Sequence, residues 1–161
     1  VAEKEWAEEF THYLPYIKGD DFLGVQNYTR TLVSAEGDLP APDGAELTQM
    51  GYELYPEALE NVIRTVAKDF KGDIIVTENG AAVSDDTRRV DFIRRATDGV
   101  ANCIKNGLPV KGYFCWSLLD NFEWQKGFAM TFGLIAVDRK NGQKRIPKPS
   151  LKYFGEIALG K

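Results

Sequence analysis

Histidine is nearly missing from this chain: His12 is the only imidazole in 161 residues. That scarcity excludes a zinc site built from His and Cys ligands, and any triad needing a histidine base, unless another chain supplies the group. Cysteine is almost as rare. Cys103 and Cys115 are the only two, without Cys-x-x-Cys spacing, and they read as small buried hydrophobes in a reducing compartment. A basic excess is also lacking, since 20 Lys+Arg against 24 Asp+Glu leave a net charge of −4. There is then no electrostatic case for nucleic acid as a partner. Long apolar runs are missing too. The longest, Asp73–Val76 and Gly112–Leu119, are far too short to cross a bilayer, so no membrane is expected either. The opening stretch VAEKEWAEEF is charged and amphipathic, unlike a secretory signal. Localisation stays open, with the cytoplasm favoured.

What is present suffices for one core, with 43% hydrophobic and 12% aromatic residues. Residues 1–161 read as one segment without an internal domain boundary. Trp6, Phe10, Tyr13 and Leu14 fall at helical spacing within 2–16, which predicts an amphipathic helix. Phe22, Leu23, Gly24 and Val25 form a strand-like run. Residues 29–48 contain Gly37, Pro40, Pro42 and Gly44 with little periodicity and read as a long loop. Pro56 opens a helix whose Leu59, Val62, Ile63 and Val66 repeat at i, i+3, i+4 and i+7. Gly72 stops it, and Asp73–Val76 is a β-branched strand. A helix over Asp86–Asn106 is closed by Gly107 and Pro109, a strand over Val110–Leu118 follows, and Pro149–Ile157 reads as a last helix. Asn141-Gly142 sits in a polar turn. Strands alternating with helices of this length indicate parallel β–α units, and the class is α/β.

Active groups in such folds gather where strands end and loops lead to helices. Three exits are expected: Gln26 to Thr29, Thr77 to Gly80, and Trp116 to Trp124. Glu78 follows an apolar strand directly, so its carboxylate begins at the rim of a dry core, where it serves either as a nucleophile or general base or as an ordinary salt-bridged strand end. At the third exit, aromatic rings lie among Asp120, Asn121 and Glu123. Sugars need both kinds of surface, because their C–H faces stack on rings while their hydroxyls need directional partners. Trp116 and Trp124 read as binding residues; Phe114 and Phe122 read as core.

These residues resemble the C-terminal part of family 1 glycoside hydrolases, the β-glucosidase family. Four motifs match in order: DFLGVQNYTR at 21–30, GYELYPEAL at 51–59, VTENG at 76–80 and GYFCWSLLDNFEWQKGF at 112–128. The resemblance implies a retaining mechanism with Glu78 as nucleophile and Tyr28 donating its hydroxyl to it. It implies further that Glu123 accepts hydrogen bonds from glycone hydroxyls, that Trp124 donates to them, and that Trp116 forms a stacking wall. Phe132 would border the O6 end. Tyr52 falls where the family usually has a Trp that makes an aglycone platform, and Gln26 replaces the more usual Asn. Glu123 argues against a 6-phospho-sugar substrate. No metal and no cofactor is implied.

The family fold is an eight-stranded (β/α) barrel, and such barrels need about 250 residues. The chain is therefore expected to hold the last three βα units, strands 6 to 8, completed by another chain or fragment that carries strands 1 to 5. The family's acid/base is the Glu of an Asn-Glu-Pro motif, and none occurs in these 161 residues. The leading expectation is a β-glucosidase part active when complemented. A non-catalytic carbohydrate-binding piece and a purely structural fragment stand as alternatives.

Overall fold

The computed structural model describes residues 1–160. Its opening helix is broken. Helix α1 spans Ala2–Glu9, a 3₁₀ turn follows at Thr11–Tyr13, and α2 covers Leu14–Ile17. Pro15 explains the interruption, because its ring would collide with the carbonyl four residues upstream and it offers no N–H to the helix ladder. Trp6 and Phe10 stay together, their ring centroids 5.1 Å apart, and both pack on the main core.

Strand β1 is Phe22–Gln26. The predicted long loop beyond it contains a small antiparallel hairpin, β2 at Leu32–Ser34 and β3 at Gly37–Leu39. Gly37, at φ 126, and the Ser34 hydroxyl, which accepts from the Glu36 N–H, shape its turn. Helix α3 then runs Ala58–Asp69 and buries Leu59, Ile63 and Val66, the face that the periodicity predicts. Strand β4, Asp73–Asn79, runs three residues past its expected end and carries Glu78 within it. Helix α4 is Asp86–Lys105, capped where the Asp85 carboxylate accepts the Thr87 N–H. Gly107 closes it at φ 81, a left-handed conformation that favours glycine. Strand β5 spans Val110–Cys115, shorter than expected, since the chain turns at Trp116. Strands β6, Ile135–Asp138, and β7, Lys144–Pro147, form a second hairpin, so the Asn141-Gly142 turn does join two strands. Helix α5 closes the described chain at Pro149–Ala158.

The main sheet is parallel, in the order β1-β4-β5. One face carries Val25, Ile74, Val76 and Val110 and packs on α3 and α4 through Leu59, Ile63, Val66, Phe92, Ala96, Val100 and Cys103. Each fully buried aliphatic side chain there stabilises the fold by about 2 kcal/mol. Alternate residues point the other way, because successive side chains along a strand leave opposite faces. Phe22 is 49% exposed and Phe114 61% exposed on that second face, and no described element covers it. β1 and β5 each pair on one side only, leaving two open edges among the described residues. The expected core position is therefore not met within this chain by Phe114, nor by Phe122, which is 56% exposed and meets Phe128 edge-on.

Both cysteines are free, and Cys103 is fully buried. Burial pushes the Cys115 thiol up to about 12, so neither group offers a ready thiolate. No helix among the described residues is long and apolar enough to cross a membrane.

Candidate functional site

The exits of β1, β4 and β5 converge at one end of the sheet. Two residues beyond β1, the Tyr28 hydroxyl donates to Glu78 Oε2 at 2.5 Å. Burial, together with the hydrogen bond to Glu78 and the nearby Glu78 and Glu123 charges, holds the Tyr28 phenol above its usual range. It therefore remains a protonated donor, the state needed to steady a carboxylate. The Phe132 ring packs edge-on to Tyr28 with centroids 5.9 Å apart.

Above this pair lies a cavity of about 510 Å³, lined by Tyr28, Tyr52, Glu78, Trp116, Glu123, Trp124 and Phe132. All seven residues expected at the site are brought together. Met50, Asn121 and Phe122 also line it. Asn121 stood in view within the acidic and aromatic run after β5, whereas nothing in the sequence marked Met50. The volume suits a small polar ligand, and the mixture of rings with carboxylates suits a sugar.

Glycine sets the distance between two of the exits. A Cβ on Gly80 would lie 1.8 Å from the Trp116 carbonyl oxygen, so only glycine lets the backbone after Glu78 pass against the residue carrying the Trp116 ring. The loop beyond Trp116 is a compact structure. Glu123 and Gly127 exchange backbone hydrogen bonds at 2.7 Å, and Gly127 turns at φ 61. This turn presents Glu123 and leaves Trp124 86% exposed.

Buried charges fasten that loop, and the sequence alone did not reveal them. The Asp120 carboxylate accepts from the Gly133 N–H at 2.7 Å and from Lys148 Nζ at 3.1 Å. Burial and the Arg89 charge depress the Lys148 ammonium, while Asp120 works in the opposite direction. Arg89, 1% exposed, bonds to Asp86 and to the carbonyls of Val83 and Thr131. Asp86 in turn accepts the Ser150 N–H at 2.8 Å, which ties in the start of α5. No group of three or more His, Cys, Asp or Glu side chains able to hold a metal occurs among the described residues.

Residues 10–161 match glycosyl hydrolase family 1. The chain belongs to that family. A 1,4-β-D-glucan glucohydrolase of Thermotoga neapolitana is 36% identical over 152 residues, which are 85% of this chain and 34% of that protein. The crystal structure of a β-glycosidase superposes with a TM-score of 0.94 at 45% identity, covering 99% of this chain and 38% of that one. The β-glucosidase of Thermotoga maritima in complex with glucoimidazole gives a TM-score of 0.79 at 33% identity, over 87% of this chain and 34% of that one. This family 1 chain therefore spans about a third of the length of the curated relatives it matches. Family 1 glycosidases have a (β/α)8 barrel, and the parallel sheet with its helices on one face is mixed α/β structure in keeping with part of such a barrel.

Proposed function

We propose that the chain is the nucleophile-bearing portion of a retaining β-glycosidase acting on terminal, non-phosphorylated β-glycosides. The observation that supports this reading best is the Tyr28 hydroxyl on Glu78 in a cavity walled by Trp116, Glu123 and Trp124. The three βα units correspond to the sixth to eighth of the barrel. The remaining units, in the same polypeptide or a separate one, supply the acid/base carboxyl group.

In this mechanism the Glu78 carboxylate attacks the anomeric carbon while the acid/base protonates the departing glycosidic oxygen. A glycosyl ester forms on Glu78, and water then releases the sugar with net retention. The two carboxyl groups of such a site stand about 5 Å apart. Tyr28 holds Glu78 in line and lends it a hydrogen bond. Trp116 stacks on the sugar face, Glu123 and Trp124 bond its hydroxyls, Phe132 borders its far end, and Tyr52 forms a platform for the aglycone. A carboxylate at position 123 repels a phosphorylated sugar, which restricts the substrate to neutral glycones.

A 2-fluoro-β-glucoside tests the reading, because it traps the glycosyl ester. With the chain assembled with the remaining units, mass spectrometry is expected to find the adduct on the peptide containing Glu78, and Glu78→Gln is expected to abolish it. Labelling at another residue, or sugar binding without an adduct, refutes the assignment.

A further inference from the structure

Asn79 is next to Glu78, fully buried, and polar. Its amide nitrogen donates to the Asn27 carbonyl at 2.7 Å, its amide oxygen accepts the Tyr113 hydroxyl at 2.8 Å, and its backbone carbonyl accepts the Trp116 N–H at 2.8 Å. One residue of β4 thus ties down the exits of both neighbouring strands. The orientation is determined by its partners: a carbonyl can only accept, so the amide nitrogen faces Asn27 and leaves the oxygen for Tyr113. Burial keeps the Tyr113 phenol well above its usual range, which preserves it as the donor. The backbone adds a second tie, from the Asn27 N–H to the Glu78 carbonyl at 3.1 Å.

Asn27 directly precedes Tyr28. We infer that Asn79 is a positioning residue, holding the β1 exit at the height where the Tyr28 hydroxyl meets Glu78. The inference rests on the glycosidase reading for its catalytic consequence, though not for its geometry. Asn79 touches no substrate, and its effect passes through Asn27 to Tyr28. Of its two side-chain bonds, the one to Asn27 matters for the nucleophile, while the one to Tyr113 fixes the amide and steadies β5.

Asn79→Asp is the sharpest probe. Assayed at a pH high enough to ionise the new carboxyl, it keeps the shape and an acceptor for Tyr113, but it removes the donor and sets an oxygen against the Asn27 carbonyl. In the chain assembled with the remaining barrel units, with sites counted by the 2-fluoro adduct, kcat per site is expected to fall roughly a hundredfold. KM is expected to stay within about twofold, since the sugar-facing side chains are untouched. Tyr113→Phe leaves the Asn27 bond in place and is expected to cost only about threefold. In the same samples the Cζ resonance of labelled Tyr28, identified by Tyr28→Phe, is expected to move toward that of a free tyrosine in Asn79→Asp alone. Should Asn79→Asp fail to assemble, the smaller and neutral Asn79→Ser carries the comparison. Unchanged kcat per site together with an unmoved Tyr28 resonance overturns the inference. So does a loss confined to the assembled fraction, which indicates a purely structural role. A wild-type assembly that forms no adduct on Glu78 refutes the glycosidase reading instead, and the Tyr28 resonance still decides the place of Asn79.

Discussion

The Tyr28–Glu78 contact joins residues fifty positions apart through one hydrogen bond of 2.5 Å. A hydrogen bond to a charged group contributes about 1.5–3 kcal/mol, and each 1.4 kcal/mol or so is a factor of ten in rate. Tyr28→Phe in the assembled enzyme is therefore expected to lower kcat about ten- to a hundredfold, with less effect on KM, as steady-state kinetics on an aryl β-glucoside would read. Equal kcat in the two proteins would remove Tyr28 from the mechanism. At this scale the sequence was informative, because Glu78, Trp116 and Glu123 lie at strand exits where chemistry gathers. Asn79 was not legible in the same way. An asparagine after a strand glutamate looks like an ordinary turn residue until Asn27 and Tyr113 are seen on either side of it.

Among the elements, α4 does more than cover the sheet. Its first turns hold Asp86 and Arg89, which bind the start of α5 and the Thr131 carbonyl in the loop beyond β5. Removing one partner of a buried pair leaves an uncompensated charge, at a cost of about 3–5 kcal/mol. Arg89→Ala is expected to destabilise the fold by that amount, measured by denaturant unfolding, while Arg94→Ala on the exposed face of the same helix is expected to change it by less than about 0.5 kcal/mol. The carboxylates around α4 add an acid sensitivity. Hydrogen bonds from Arg88 lower Glu46, those from Thr87 lower Asp85, and those from Arg94 lower Asp91. Their contribution is complete above the ordinary carboxylate range and is lost as pH falls through the lowered values, so melting temperature is expected to drop on acidification below about pH 4. A flat profile there would show that these bonds contribute nothing. Elements themselves were legible where one period dominated, as in α3. They were less so where a proline cut the pattern, at Pro15, or where a strand held only three residues, as in β2 and β3. The Asp120–Lys148 and Asp86–Ser150 ties span long stretches of chain and leave no periodic trace.

At the scale of the whole molecule, the second face of the sheet governs behaviour. Phe22 and Phe114 stand half-exposed beside two unpaired edges, and such surfaces associate with other chains. In a closed barrel the inward side chains form packed layers, which is the role these residues would take against the remaining units. Phe114→Asp is expected to abolish assembly with those units on gel filtration while leaving helical circular dichroism intact. Covering one such ring stabilises the assembly by about 2 kcal/mol. Assembly undiminished by the aspartate would mean that the inner face is not where the units meet.

The β2–β3 hairpin has a different use. Ala35, Glu36 and Gly37 at its tip are exposed, and none of its residues lines the cavity that holds Glu78. A tip of that kind accepts inserted sequence far more readily than a packed turn. A fluorescent reporter or affinity tag spliced between Ala35 and Glu36 would give a handle on the chain while leaving the residues that line the pocket unchanged.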